Sequence, residues 1–163
     1  MKFSFKNDYS EGCHPKILEA LSQYNLDQQN GYGLDIYSEN AANIIREKSK
    51  SPESKVHLVS GGTQANLIVI SSILRPHESV VSANTGHIFT NETGAIEATG
   101  HKVHGVETKD GKLRPEDIQN VLDVHTNVPH QVKQKLVYIS NSTEVGTIYT
   151  KKELENLSEF CKK

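Results

Sequence analysis

The sequence has no tryptophan, a single methionine and only two cysteines in 163 residues. Cys13 and Cys161 stand near opposite ends of the chain in no metal-ligand spacing. That excludes a scaffold of several disulfides and a cysteine-rich zinc site, and it reads as two free thiols of a cytoplasmic protein, with a disulfide between the two as the alternative. Long apolar runs are lacking as well. The stretch 67–70 is far too short to cross a bilayer, and Met1-Lys2-Phe3-Ser4-Phe5-Lys6 has no apolar core of signal-peptide length. No excess of one charge exists either: 18 Lys and Arg face 20 Asp and Glu, a formal net charge of -2. Such a balance provides no basic field for nucleic acid. What remains, at 35% hydrophobic and 23% charged residues, is the composition of a globular chain long enough for a real core.

Glycine and proline punctuate a regular alternation of elements. Pro15 opens a helix at its first position, with Ile17, Leu18 and Leu21 on one face. Asn30-Gly31-Tyr32-Gly33 is a loop, and a helix over 38–48 turns Ala41, Ala42 and Ile45 inward before Ser51-Pro52-Glu53 breaks it. Residues 56–59 read as a short strand, followed by Ser60-Gly61-Gly62-Thr63 and a helix to about Leu74. That helix is apolar nearly all round, which predicts burial on most sides. Val80-Val81 marks the next strand, 92–99 a helix closed by Gly100, and 103–106 another strand. Asp110-Gly111 is a turn. Pro115 starts a helix with Ile118, Val121 and Leu122 inward, and 136–139 is the strongest buried strand. A capping box, Thr150-Lys151-Lys152-Glu153, opens a last helix striped by Leu154, Leu157 and Phe160. No strand follows it, so the chain is expected to be incomplete. Strands joined through helices imply an α/β fold, a mostly parallel sheet in three layers with helices on both faces. The expected division is a helical N-terminal arm over 1–50 and an α/β domain over 51–163.

Chemistry concentrates at a few loops. Ser60-Gly61-Gly62-Thr63-Gln64 places glycines and a hydroxyl at a helix start, where free N–H groups and the dipole suit a phosphate dianion. It is neither a Walker loop nor Gly-x-Gly-x-x-Gly; the alternative is a plain glycine turn with Thr63 as N-cap. His87 follows a strand at the edge where α/β sites collect, and an imidazole there can stack on a flat ring or move protons. His101 and His104, three apart in a strand, point to opposite faces, so no metal site is expected.

The motifs resemble, in order and spacing, those of one family. They are Asn7-Asp8, Tyr32-Gly33, Ser60-Gly61-Gly62-Thr63-Gln64-Ala65-Asn66-Leu67, Gly86-His87-Ile88-Phe89, Glu92-Thr93-Gly94-Ala95 and Asn141-Ser142-Thr143-Glu144-Val145-Gly146-Thr147. Together they are similar to the low-specificity L-threonine aldolases, pyridoxal 5'-phosphate (PLP) enzymes of fold type I with the aspartate-aminotransferase-like large domain. The resemblance implies a lyase that cleaves L-threonine or L-allo-threonine to glycine and acetaldehyde. Gly61, Gly62, Thr63, Gln64 and Asn141 would hold the cofactor. His87 would stack on its ring and serve in proton transfer. Asn7, standing where many relatives carry a serine, and Tyr32 would lie near the substrate, in an active site shared between subunits of a homo-oligomer. The family's aspartate for the pyridine nitrogen and its cofactor-binding lysine have no counterpart in these 163 residues, so the chain is expected to be an inactive fragment. The alternatives are another fold-type-I lyase or aminotransferase-like enzyme, and a non-catalytic phosphate-binding α/β module.

Overall fold

The computed structural model describes residue 4, residues 11–127 and residues 129–163. The chain divides into two units, Met1–Leu58 and Val59–Lys163.

In the first unit, α1 (Pro15–Tyr24) begins at proline as expected, and α2 (Ile36–Ser49) is capped at both ends. The Asp35 carboxylate accepts from Ser38 N at 2.8 Å, and Lys50 closes the helix in the left-handed region at φ 54°. None of this unit's described residues is buried. Leu18 and Leu21, predicted as part of an inward face, are 58% and 62% exposed, and Ile45 is exposed too. Their helical spacing is right, but no second layer in this unit covers them.

The second unit is a three-stranded parallel sheet in the order β2-β1-β3, with β1 at Glu78–Ala83, β2 at Val103–Val106 and β3 at Lys133–Val137. Period-2 alternation divides β1 between two cores. Val80 faces Ile70 and Leu74, the end of α3 (Gly62–Ile73), together with Ile88, Ile96 and Val103. Val81 and Ala83 face Leu113. Beneath them, Ile118 of α5 (Pro115–Val124) packs with Tyr149 and with Leu157 of α6 (Lys151–Cys161). Helices therefore cover both faces, the α/β architecture the alternation predicts. Each fully buried aliphatic side chain contributes about 1.5–3 kcal/mol.

Four expectations are corrected. Residues 56–59 form no strand. An isolated extended run has no partners for its N–H and C=O groups, and both edges of β1 are already taken by β2 and β3. Helix α3 is not buried on most sides: only Ile70 is, while Ile68, Val69 and Ile73 are 45–58% exposed. A three-stranded sheet covers one stripe of that helix and leaves the rest. The helix over 92–99 shrinks to a 3-10 turn, Glu97–Thr99, although Gly100 closes it in the left-handed region at φ 90°. In its place the chain forms the single turn α4 (His87–Thr90). The last strand begins three residues earlier than the apolar run suggests, and it is only half buried because its outer edge is open.

Candidate functional site at the carboxyl ends of the strands

The chain leaves β1 at Ala83 and turns at once, with Gly86 N donating to Ala83 O at 2.8 Å. The close approach at this turn favours glycine: a Cβ on Gly86 would force the Ser82 hydroxyl to move and sit 3.0 Å from Ala83 O. The turn delivers His87 to the start of α4 with its side chain 44% exposed. Its Nδ1 lies 2.8 Å from Glu92 Oε1, and the Glu92 side chain is fully buried. Asn66 Nδ2, on the second turn of α3, donates to that same oxygen at 2.6 Å. From the other side, His87 N donates to Glu144 Oε1 at 2.9 Å, and the Ser140 hydroxyl donates to this carboxylate at 2.5 Å. The exits of β1 and β3 and the first half of α3 thus meet around one imidazole.

Helix α3 starts at Gly62, with Gly61 as an extended N-cap that offers no side-chain hydrogen bond. Thr63 lies inside the helix, so the reading of Thr63 as N-cap is corrected. The amides of Gly62, Thr63 and Gln64 belong to the first turn and have no intrahelical acceptor. These residues are exposed, leaving that turn open to an anion. The Gln64 side chain is spent on the loop itself, its Oε1 accepting from Ser60 N and Ser60 Oγ at 2.8 Å each. A phosphate would meet Gln64 through its backbone.

Among the described residues, four buried side-chain oxygens have no hydrogen-bond partner: Asn84 Oδ1, Thr85 Oγ1, Glu92 Oε2 and Thr108 Oγ1. All four follow the carboxyl ends of β1 and β2. Buried polar atoms are normally satisfied, so such a concentration marks a place where further groups belong. The donor set suits PLP: free helix-start amides for a dianionic phosphate, and a partly exposed imidazole for a flat ring.

The remaining predicted residues are placed as follows. Asn141 is exposed on the loop after β3, its Oδ1 accepting from Tyr149 N at 3.1 Å, so its side chain shapes the return to α6. Tyr32 belongs to the first unit, fully exposed at φ 63°, and lines a groove of about 610 Å³ with Ser38, Glu39 and Arg46. Asn7 lies outside the described residues. His101 Nδ1 donates to Glu78 O at 3.1 Å, and no group of three or more metal-ligating side chains exists among the described residues. Sequence reasoning assigned no role to Glu92, Asn66, Ser140 or Glu144. The helix expected over 92–99 hid Glu92, because only the tight α4 turn curls that carboxylate back beneath His87.

The chain resembles known proteins over nearly its whole length. The family model described as beta-eliminating lyase matches residues 9–163. Two curated relatives are the low specificity L-threonine aldolases of Pseudomonas aeruginosa, 29% identical over 160 residues, and of a Pseudomonas species, 31% identical over 160 residues. Each alignment covers 97% of this chain and 46% of the relative. A solved threonine aldolase from Leishmania major superposes with a TM-score of 0.91 at 54% identity, over 96% of this chain and 45% of that one. The chain thus spans about half the length of the proteins it matches.

Proposed function

Since the chain belongs to the beta-eliminating lyase family, we propose that it forms the first part of a PLP-dependent threonine aldolase, a carbon–carbon lyase that splits L-threonine or L-allo-threonine into glycine and acetaldehyde. The observation that carries this reading is the tether from α3 to His87: Asn66 Nδ2 and His87 Nδ1 share the buried Glu92 Oε1. This links the helix start that suits a phosphate to the imidazole that suits a ring.

PLP, when bound, supplies the electron sink for Cα–Cβ cleavage. The amides of Gly62, Thr63 and Gln64 hold the phosphate, with Gly61 leaving room for it. The exposed face of His87 stacks on the ring, and its Nε2 takes up a proton from the substrate. Asn141 shapes the loop that borders the cofactor, while Asn7 and Tyr32 serve the substrate in a site shared between subunits. The residue that binds PLP covalently is not among these 163. On this reading the protein is a cytoplasmic homo-oligomer.

The test is an absorbance titration of the 163-residue chain with PLP, followed by borohydride reduction and peptide mapping. Weak, reversible binding with no turnover of L-threonine is expected. A borohydride-trapped adduct at one defined lysine within residues 1–163 would contradict the assignment. Substituting Gly62 with Asp should weaken binding at least tenfold, because a carboxylate there repels the phosphate.

A further inference from the structure

We infer that Glu92 is a positioning residue for His87, acting with Asn66 to hold the imidazole as the Nδ1–H tautomer so that Nε2 presents its lone pair to the site. The inference rests on the proposed reading of His87 as the group that stacks on the ring and takes up a proton.

The Glu92 side chain is completely buried, yet both contacts that reach it converge on a single oxygen, Oε1. An ionised carboxylate only accepts hydrogen bonds. The Asn66 amide nitrogen donates one of them, and the ring must donate the other from Nδ1. A neutral imidazole has one N–H, so Nε2 is left as the acceptor. The His87 main chain is held separately, its backbone amide donating to Glu144 Oε1 at 2.9 Å, which fixes the point from which the ring reaches Glu92. Ring and main chain are thus each tied to a separate carboxylate, one delivered by the turn after α4 and the other by the loop after β3.

Asn66 gives the pair a second purpose. It lies one turn beyond Thr63, on the helix whose first amides are proposed to hold the phosphate. Orientation of the imidazole and placement of that helix therefore depend on the same carboxylate oxygen. Glu92 Oε2 is buried with no partner. Nothing else in the described chain draws the carboxylate away from His87 and Asn66.

The experiment is nitrogen-15 NMR of histidine-labelled protein, comparing wild type with Glu92→Gln and Glu92→Leu. Wild-type His87 is expected to show the Nδ1–H tautomer. E92Q keeps an acceptor oxygen in the same place and should keep that tautomer. E92L removes it and should shift the tautomer ratio toward Nε2–H by roughly tenfold or more. In the PLP-loaded full-length enzyme, E92L should lower kcat for L-threonine by roughly 10²-fold, the scale of one acid–base group, with KM changed far less. E92Q should recover part of that loss, which a merely structural role would not give. An Nε2–H tautomer in wild type overturns the inference, and so does an unchanged tautomer in E92L. If E92L does not fold, E92Q decides: loss of the Nδ1–H tautomer there is equally fatal. An Nδ1–H tautomer in a protein that neither binds PLP nor cleaves threonine sinks the functional reading and leaves the positioning of His87 standing.

Discussion

Gly86 sits where the central strand gives way to His87, and a side chain there would be crowded. Its φ of -62° is ordinary, so the requirement is space rather than backbone freedom. A Cβ would strike Ser82 Oγ and press on Ala83 O at 3.0 Å, both within fully packed β1. Gly86→Ala should cost about 1–3 kcal/mol, the usual range for overpacking, measured as a lower urea midpoint. It should also disturb His87, the next residue. A different histidine governs pH dependence. His104 is buried on β2, its Nε2 within 3.1 Å of Ser79 Oγ and 3.2 Å of Gln134 Nε2, and its ring packs edge-on against His125. Burial first, then Lys102 and His125, push its pKa down from 6.5 to about 4. The unfolded chain therefore takes up this proton near pH 6.5, while the folded chain resists until about pH 4. Stability should fall as pH drops through that window, by about 1–2 kcal/mol once solvent screening is allowed for. His104→Gln should flatten the slope of urea midpoint against pH between 6.5 and 4; an unchanged slope would assign the effect to other groups.

Among the elements, α6 is the one most completely specified by its own residues. Thr150 Oγ1 accepts from Glu153 N, and Glu153 Oε2 accepts from Thr150 N at 2.7 Å, the reciprocal box that the motif implies. Thr150→Ala should cost about 1 kcal/mol, the usual value of an N-cap, read by thermal or urea unfolding. Glu153 also accepts from Lys112 Nζ at 2.6 Å, which ties the helix to the loop before α5. That bond, with those of Thr150, lowers the Glu153 pKa from 4.5 to about 2. Both this pKa and that of His104 are lowered, here by hydrogen bonds to the ionised form rather than by burial, and in both cases stability is lost as pH falls. The stability contributed by the ionised carboxylate is full above about pH 4.5 and disappears as pH falls through about 2. Lys112→Met should remove part of this acid dependence below pH 4.5, and unfolding midpoints between pH 2 and 5 would show it. Helix α3 is the contrasting case. Its two jobs, covering Val80 through Ile70 and Leu74 and holding Asn66 against Glu92, use one stripe. The rest of its apolar surface is left exposed.

For the whole molecule that surface is the dominant feature. Ile68, Val69 and Ile73 on α3, and Ile17, Leu18 and Leu21 on α1, are each 45–62% exposed. The sheet adds two unpaired edges, at β2 and β3. Apolar helix faces and open strand edges favour association. The pairing of residues 56–59 within the chain, which would have relieved part of this, does not occur. Self-association is therefore the expected outcome. Light scattering at micromolar concentration should give a mass of at least twice 18.1 kDa, and a stable monomer would show that these surfaces need no partner.

What the sequence determined by itself is what neighbouring residues decide. Pro15 and Pro115 started helices, Gly100 and the Thr150–Glu153 box ended and began others, and alternating strands and helices made a parallel sheet. The positions of His87 and the Gly61-Gly62 turn were legible for the same reason, since glycine and helix-start chemistry act over a few residues. Tertiary structure decided the rest. Residues 56–59 have the composition of a strand, but a strand exists only where another takes its hydrogen bonds. The apolar helix 62–73 is buried only as far as a three-stranded sheet reaches. Asn66, Glu92 and Glu144 are separated by 26 and then 52 residues, and no local pattern announces that they meet at His87. Their convergence depends on where β1 and β3 end side by side. That is a property of the assembled sheet, because hydrogen bonds between distant residues form only once packing has brought them within reach.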